Sequence, residues 1–393
     1  MLLLNQVVNL EWIGKNMNVL ISGGAGFIGS NLALHLIGLG HEVTVLDTLS
    51  PQIHGDDPTT SSPLFLSVRD KVRFVKGSVC DEASWLSVLP GQDAIVHLAA
   101  ETGTGQSMYE IKKYVDVNIG GTALMLDLLA NTKHSIKKVV VASSRSIYGE
   151  GKYRSKALGI VYPGQRLDSD MKAGRFDPLC SATGDVLELL PTDEESKIHP
   201  SSVYGITKQN QEQMVMTVCG SLGIGATALR YQNVYGPGQS LSNPYTGILS
   251  IFSTRIKNGN KIDIFEDGKE SRDFVFISDV VQATTAALLK DEANGEVFGI
   301  GSGVATDVLT VANTLVSQYN VNVPITVTGA YRLGDIRHNF ADLTKAKNLL
   351  GFEPKINFVE GIKKFTTWVN QQAVQKDSYD QSIEEMKSRG LYK

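Results

Sequence analysis

Asn18-Val19-Leu20-Ile21-Ser22-Gly23-Gly24-Ala25-Gly26-Phe27-Ile28-Gly29 decides the fold. The first five residues read as a buried strand. The pattern then changes to a helical one through Leu32, Leu36 and Leu39, closing at Gly40. Between strand and helix lie glycines at 23, 26 and 29. They permit a tight turn, close approach of backbone to a pyrophosphate and tight helix–strand packing, while the helix N-terminus directs N–H groups at the phosphate. Phe27 and Ile28 open that helix and belong to the same cradle.

Outward from this unit the alternation continues. Val43–Leu46 forms a second strand ending in Asp47, an acid placed to accept hydrogen bonds from an adenosine ribose and to repel a 2′-phosphate. NAD is therefore favoured over NADP. Strands are predicted at 72–75, at 94–100, at 139–142 and at 227–230, giving a doubly wound parallel α/β sheet of Rossmann type with ligand beyond the strand carboxyl ends. Leu98, Ala99 and Ala100 would then lie close to the cofactor, and Ser144 would bring a hydroxyl to the same edge. His97 reads as a packed strand histidine. Asn118 lies in a helix, either as a surface amide or as a brace for neighbouring strands.

Tyr204 and Lys208 are four residues apart on a helix that Ser201 or Ser202 can cap, so phenol and ammonium share a face. A nearby cation favours the phenolate, which makes Tyr204 a candidate general base. Tyr109/Lys113 and Tyr148/Lys152 repeat the spacing, but glycines follow Tyr148, and the lysines near Tyr109 read as a solvated face.

The chain has 393 residues, net charge -4 and 42% hydrophobic residues, enough for a large α/β unit plus a lobe. That charge argues against non-specific nucleic-acid binding. The 3 cysteines are widely separated, which suggests neither a disulfide framework nor a metal site. No apolar run reaches membrane-span length, and residues 1–16 lack the marks of a secretory signal, so a cytoplasmic protein is expected. The expected organisation is an extension at 1–16, a dinucleotide-binding domain at 17–230 with an insertion at 151–199, and a substrate lobe at 231–393 with segments returning to the first domain. The insertion is expected to act as a lid, and the tail after Trp368 to be a charged surface helix. Arg272 and Arg332 suit a second pyrophosphate.

Taken in order, Gly23-x-x-Gly26-x-x-Gly29, Asp47, His97-Leu-Ala-Ala100, Ser144, Tyr204-x-x-x-Lys208 and Arg272-Asp-Phe resemble the extended short-chain dehydrogenase/reductase family, in its nucleotide-sugar epimerase/dehydratase branch. The resemblance implies that Tyr204 takes a proton from a sugar hydroxyl while NAD+ accepts hydride from the same carbon. It further implies that Lys208 holds the nicotinamide ribose and lowers the tyrosine pKa, and that Ser144 hydrogen-bonds the reacting oxygen. Asn118 falls to the cofactor region, and Asn233, Arg272, Arg332 and Asp335 to the substrate's diphosphate end. A homodimer through the helices after Asn118 and around Tyr204 is also implied. The family's dehydratases carry acids just after the serine; here Arg145 and Ser146 stand there, so epimerisation at C4 is the better reading. Glu101–Met108, Phe176–Pro178, Leu241–Thr246 and Gly334–His338 look like the dTDP-L-rhamnose 4-epimerase group. A keto-reductase or dehydratase is the alternative within the family, and an NAD-binding regulatory protein the alternative outside it. Ser78 departs from the family's adenine-contacting acid.

Overall fold

The computed structural model describes residues 16–241, 243, 245 and 247–393. Residues 1–15, most of the expected extension, and three positions of the 241–246 segment lie outside them. Seven strands form the central sheet: β1 (Asn18–Ser22), β2 (Glu42–Asp47), β3 (Arg73–Lys76), β4 (Ala94–His97), β5 (Lys138–Ser144), β6 (Gly225–Tyr231) and β7 (Glu296–Ile300). Their order is β3-β2-β1-β4-β5-β6-β7, and every pairing is parallel. The order reverses between β1 and β4, and a crevice opens there at the strand carboxyl ends.

Both faces of the sheet are covered, so alternate residues of one strand enter different cores. Val19, Ile21, Val45, Val96 and Val140 pack with Leu32 and Leu36 of α1 (Phe27–Gly38). Leu20, Ile95, Val139 and Val141 pack instead with Met125 and Leu129 of α2 (Gly121–Asn131) and with Val215 and Cys219 of α3 (Val203–Leu222). Continuous apolar runs are what such doubly buried strands require.

Two elements differ from expectation. β4 stops at His97: Leu98 N still donates to Ser22 O at 3.0 Å, but the chain then leaves the ladder to pass over Gly23. A seventh strand, Glu296–Ile300, comes from the C-terminal part of the chain and pairs with β6. The rest of that part builds around Ser271–Phe276, which pairs with Asn233–Tyr235, Ala305–Asp307 and His338–Asn339.

The 151–199 insertion folds as a small antiparallel sheet with a short helix, Asp168–Lys172. It does not cover the crevice. Arg166 pairs with Glu150 at 3.2 Å and Glu266 at 2.8 Å, and Arg337 reaches Asp177 at 2.8 Å. The pairs with Glu266 and Arg337 tie the insertion to the C-terminal lobe, and no residue of 151–199 lines the crevice, where a lid was expected.

Candidate active site

The glycine turn is forced by its surroundings. Gly23 adopts φ 71°, and a Cβ there would lie 2.8 Å from Ala99 N; a Cβ on Gly29 would lie 2.4 Å from Gly23 O. Side chains at either position would push apart the two walls of a cavity of about 670 Å³. That volume is within the range of small-molecule and cofactor pockets. Gly26, Phe27 and Ile28 line the cavity from α1, and Leu98, Ala99 and Ala100 line it from the end of β4. Asp47 closes this end. Its carboxylate accepts from Ala25 N at 3.0 Å and Leu49 N at 2.9 Å, which fixes it facing the helix N-terminus.

At the middle of the cavity stand Ser144, Tyr204 and Lys208. Ser202 caps α3 by accepting from Gly205 N at 3.1 Å, and Ser107 Oγ accepts from Tyr204 N at 3.0 Å, so the first turn is held at two points. Ser144, the last residue of β5, shares a 2.6 Å hydroxyl contact with Ser146. Lys208 donates to Ala142 O at 3.0 Å. Burial pushes the Lys208 ammonium down to about 7. Burial also raises the Tyr204 phenol, against which act a hydrogen bond from Ser144 and the charge of Arg145. Burial is thus the largest influence on both groups in the protein alone.

Asn118 does not line the cavity. Its amide is fully buried, with Oδ1 accepting from Glu101 N at 2.7 Å and Nδ2 donating to Glu101 O at 3.1 Å and Thr207 Oγ1 at 2.9 Å. The cofactor contact expected of it becomes a brace between the loop after β4 and the helix of Tyr204. His97 is a packed residue as read: it bonds Ser22 Oγ at 2.6 Å and Thr122 Oγ1 at 2.9 Å, and burial pushes it down to about 3. The two decoy tyrosines are accounted for as well. Tyr148 accepts from Arg230 at 2.6 Å, and Lys113 pairs with Glu101 and Glu110.

The far end gathers Asn233, Arg272, Arg332 and Asp335. Asp335 lies 3.2 Å from Arg272 and 2.6 Å from Arg332; burial alone would raise its carboxyl, but the two guanidinium groups hold it well below the usual range. Both arginines thus lie beside one carboxylate, a site able to exchange partners with a diphosphate. Sequence reasoning missed the wall opposite. Tyr379, Met386 and Leu391 of the tail line the cavity, on and after a helix at Tyr379–Ser388. That helix is latched by Tyr245 to Glu385 at 2.6 Å and Arg255 to Asp380 at 3.0 Å. The apolar spacing of Tyr379, Ile383 and Met386 was the available signal.

A dinucleotide cradle opening at the switch point, continuous with a tyrosine–lysine–serine centre and a pair of arginines, defines an enzyme of the extended short-chain dehydrogenase/reductase class. The chain belongs to the NAD dependent epimerase/dehydratase family, whose profile matches residues 19–163 and 180–301. It is 36% identical over 362 residues to a dTDP-L-rhamnose 4-epimerase of Burkholderia thailandensis, covering 91% of this chain and 96% of that one. It is 29% identical over 359 residues to a UDP-N-acetyl-alpha-D-glucosaminuronate decarboxylase of Bacillus cytotoxicus, covering 90% and 97%. The UDP-glucose 4-epimerase of Thermotoga maritima, solved with UDP-glucose, superposes with TM-score 0.71 at 30% identity, over 90% of this chain and 99% of that one. The cradle fits the family's cofactor, NAD: the space a Cβ would fill at Gly23 and Gly29 is kept open, and Asp47 stands at the ribose end. Among the described residues no helix is long and apolar enough to cross a membrane.

Proposed function

We propose that the protein is a nucleotide-sugar 4-epimerase that oxidises C4 transiently, acting on dTDP-L-rhamnose or a related dTDP-, UDP- or GDP-sugar. The observation that carries this reading is the chemistry of the two positions after Ser144. Arg145 donates to Asn233 Oδ1 at 2.8 Å and Ser146 bonds Ser144, so neither offers a base for a carbon-bound proton. Dehydration and related eliminations need such a base, whereas epimerisation at C4 does not. The 36% identity to a dTDP-L-rhamnose 4-epimerase supports the sugar.

In this reading Tyr204 removes the proton from the C4 hydroxyl and returns it after the 4-keto sugar has presented its other face. Ser144 donates to the C4 oxygen, which stabilises the keto form. NAD, when bound, supplies the acceptor and then the donor of the C4 hydrogen. Gly23, Gly26, Phe27, Ile28, Gly29, Asp47, Leu98, Ala99 and Ala100 hold that cofactor, and Lys208 binds its nicotinamide ribose. Arg272 and Arg332 exchange Asp335 for the substrate diphosphate, beside Asn233. A homodimer through the helices after Asn118 and around Tyr204 accompanies this reading; Ile206 is an exposed apolar residue of the second helix, and sedimentation velocity tests it.

Tyr204→Phe tests the base. Interconversion of C4 epimers should fall by at least about 100-fold, the usual contribution of a positioned base, with bound NAD retained. Activity within a few-fold of the parent would remove Tyr204 from the role.

A further inference from the structure

The turn that carries Arg332 and Asp335 is held by the last three residues of the chain. Tyr331 N donates to Lys393 O at 3.1 Å, Lys393 N donates to Tyr331 O at 3.0 Å, and Leu333 N donates to Leu391 O at 3.0 Å. Between these bonds Arg332 and Tyr392 form an antiparallel bridge, so their side chains leave the pair on the same side. The side chains repeat the link. The Arg332 guanidinium lies over the ring of Phe265, 5.1 Å from its centroid. The Tyr392 ring meets Phe265 edge-on, with centroids 5.4 Å apart, and Lys387 Nζ lies 5.6 Å from the Tyr392 ring centroid. A stack thus runs from the tail helix through Tyr392 and Phe265 to Arg332. Phe265 and Arg332 line the cavity; Tyr392 does not.

The two arginines of this end differ in what holds them. Arg272 donates to Asp335 and also to the carbonyls of Ser271, Ile336 and Arg337, at 2.8 to 3.0 Å. When Asp335 gives way to a diphosphate, Arg272 keeps those three acceptors. Arg332 keeps none. Among the described residues Asp335 is the acceptor of its side chain, at 2.6 Å, and its Nε is buried without a partner. A long side chain set loose in this way loses affinity to rotamer entropy, and holding it in its bound geometry recovers that loss. We propose that Tyr392, with the main chain of 391–393, is a positioning element for Arg332: it fixes the plane of the guanidinium through Phe265, so that the edge released by Asp335 meets the substrate's diphosphate. The proposal rests on the reading of Arg332 as a diphosphate ligand, and it gives the C-terminus of the chain a task in substrate binding.

The rest of the tail leaves this task to Tyr392. Tyr379 also reaches the cavity, but its ring lies under Arg255, with the guanidinium carbon 4.5 Å from the centroid. Arg389 lies over Tyr109, 4.0 Å from that centroid, on the side of the loop after β4. These contacts fasten the tail to the body of the protein, whereas the contact with Phe265 is the one that leads to Arg332. Because Tyr392 is set back from the cavity wall, any influence it has on a ligand passes through Phe265 and Arg332. That route makes the proposal separable from a general loosening of the tail.

The test is a double-mutant cycle on nucleotide affinity, measured by isothermal titration calorimetry of the NAD-bound protein. The probe is whichever of dTDP, UDP and GDP the parent binds most tightly. Arg332→Ala should weaken it by about tenfold or more, the scale of a hydrogen bond to a charged group. Tyr392→Ala should weaken it by at least about threefold, the scale of a disrupted cation–ring arrangement, while Tyr392→Phe, which keeps the ring, should match the parent. In the Arg332→Ala background, Tyr392→Ala should have no further effect. In turnover the loss should fall on KM and spare kcat. Full affinity in Tyr392→Ala would overturn the proposal, and so would an equal loss in both backgrounds, which is the mark of a purely structural residue. Parent affinity in Arg332→Ala, or a parent that binds none of the three nucleotides, would overturn the diphosphate reading as well. The coupled pattern in a protein that epimerises no nucleotide sugar would uphold the positioning role and sink the proposed activity.

Discussion

Arg337 offers the sharpest test of how the site is supported. Its side chain is fully buried, and it meets Asp177 at 2.8 Å, Glu266 at 2.8 Å and Asp267 at 2.7 Å, with Glu270 at 3.8 Å. Its backbone N also donates to Glu150 at 2.8 Å. Arg337→Met keeps most of the stem volume and removes the charge, leaving a group of carboxylates facing one another. Removing one partner of a buried ion pair costs about 3–5 kcal/mol. Set against a typical total of about 5–15 kcal/mol, that is a large fraction of the stability. The deficit should also depend on pH. Without the cation the carboxylates' folded-state pKa values rise above their unfolded values, so the penalty is complete above the folded pKa and fades as pH falls and they take up protons. Urea unfolding of parent and variant, with NAD held at one concentration, should show the full deficit at pH 8 and a markedly smaller one near pH 5.5. A deficit under about 1 kcal/mol at pH 8, or one equal at both pH values, would refute the view that Arg337 neutralises this cluster.

Three further outcomes are expected. In the parent, burial pushes Glu150 and Glu270 up to about 7 from 4.5, so the folded state binds more protons than the unfolded one in that interval. The contribution of these two carboxyls to stability should therefore decline as pH rises from 4.5 through 7, against the opposite trend from His97. The stability of the parent relative to a Glu150→Gln/Glu270→Gln variant should fall over that interval, and a difference that does not change with pH would contradict it. Lys208→Ala should both slow turnover and lower the NAD content of the purified protein, checked by releasing and quantifying the nucleotide; unchanged values for both would refute its double role. A chain ending at Gln375 loses the wall made by Tyr379, Met386 and Leu391, and its KM for nucleotide sugar should rise by about tenfold, equivalent to roughly 1.4 kcal/mol. An unchanged KM would make the tail a bystander.

The elements whose identity rests on local chemistry could be read from the chain. Gly23 and Gly29 announce the cradle because a side chain there would run into Ala99 and into the turn's own carbonyl, and Gly26 is tight against that same carbonyl. β1, β2, β5 and β6 are apolar runs because both their faces are buried. What escaped were features created by long-range assembly. β7 is only five residues and lies far from the other strands in sequence, so nothing local marks it as joining β6. The insertion looked like a lid because its anchors, Glu266 and Arg337, come from distant turns. Asn118 was assigned to the cofactor, but its hydrogen bonds reach Glu101 and Thr207. Spacing places the Lys208 ammonium beside Tyr204, but its desolvation depends on the whole fold and could not be read from the chain.

The central claim is that the chain interconverts C4 epimers with a cofactor it already holds. Proton NMR of dTDP-L-rhamnose mixed with the purified protein, with no nicotinamide added, addresses it directly. A second anomeric signal set from the C4 epimer should grow in and settle at a fixed ratio, approached equally from either epimer. A spectrum unchanged for dTDP-L-rhamnose, and for the related dTDP-, UDP- and GDP-sugars in turn, or one showing loss of water or carbon dioxide from the sugar, would contradict the 4-epimerase assignment.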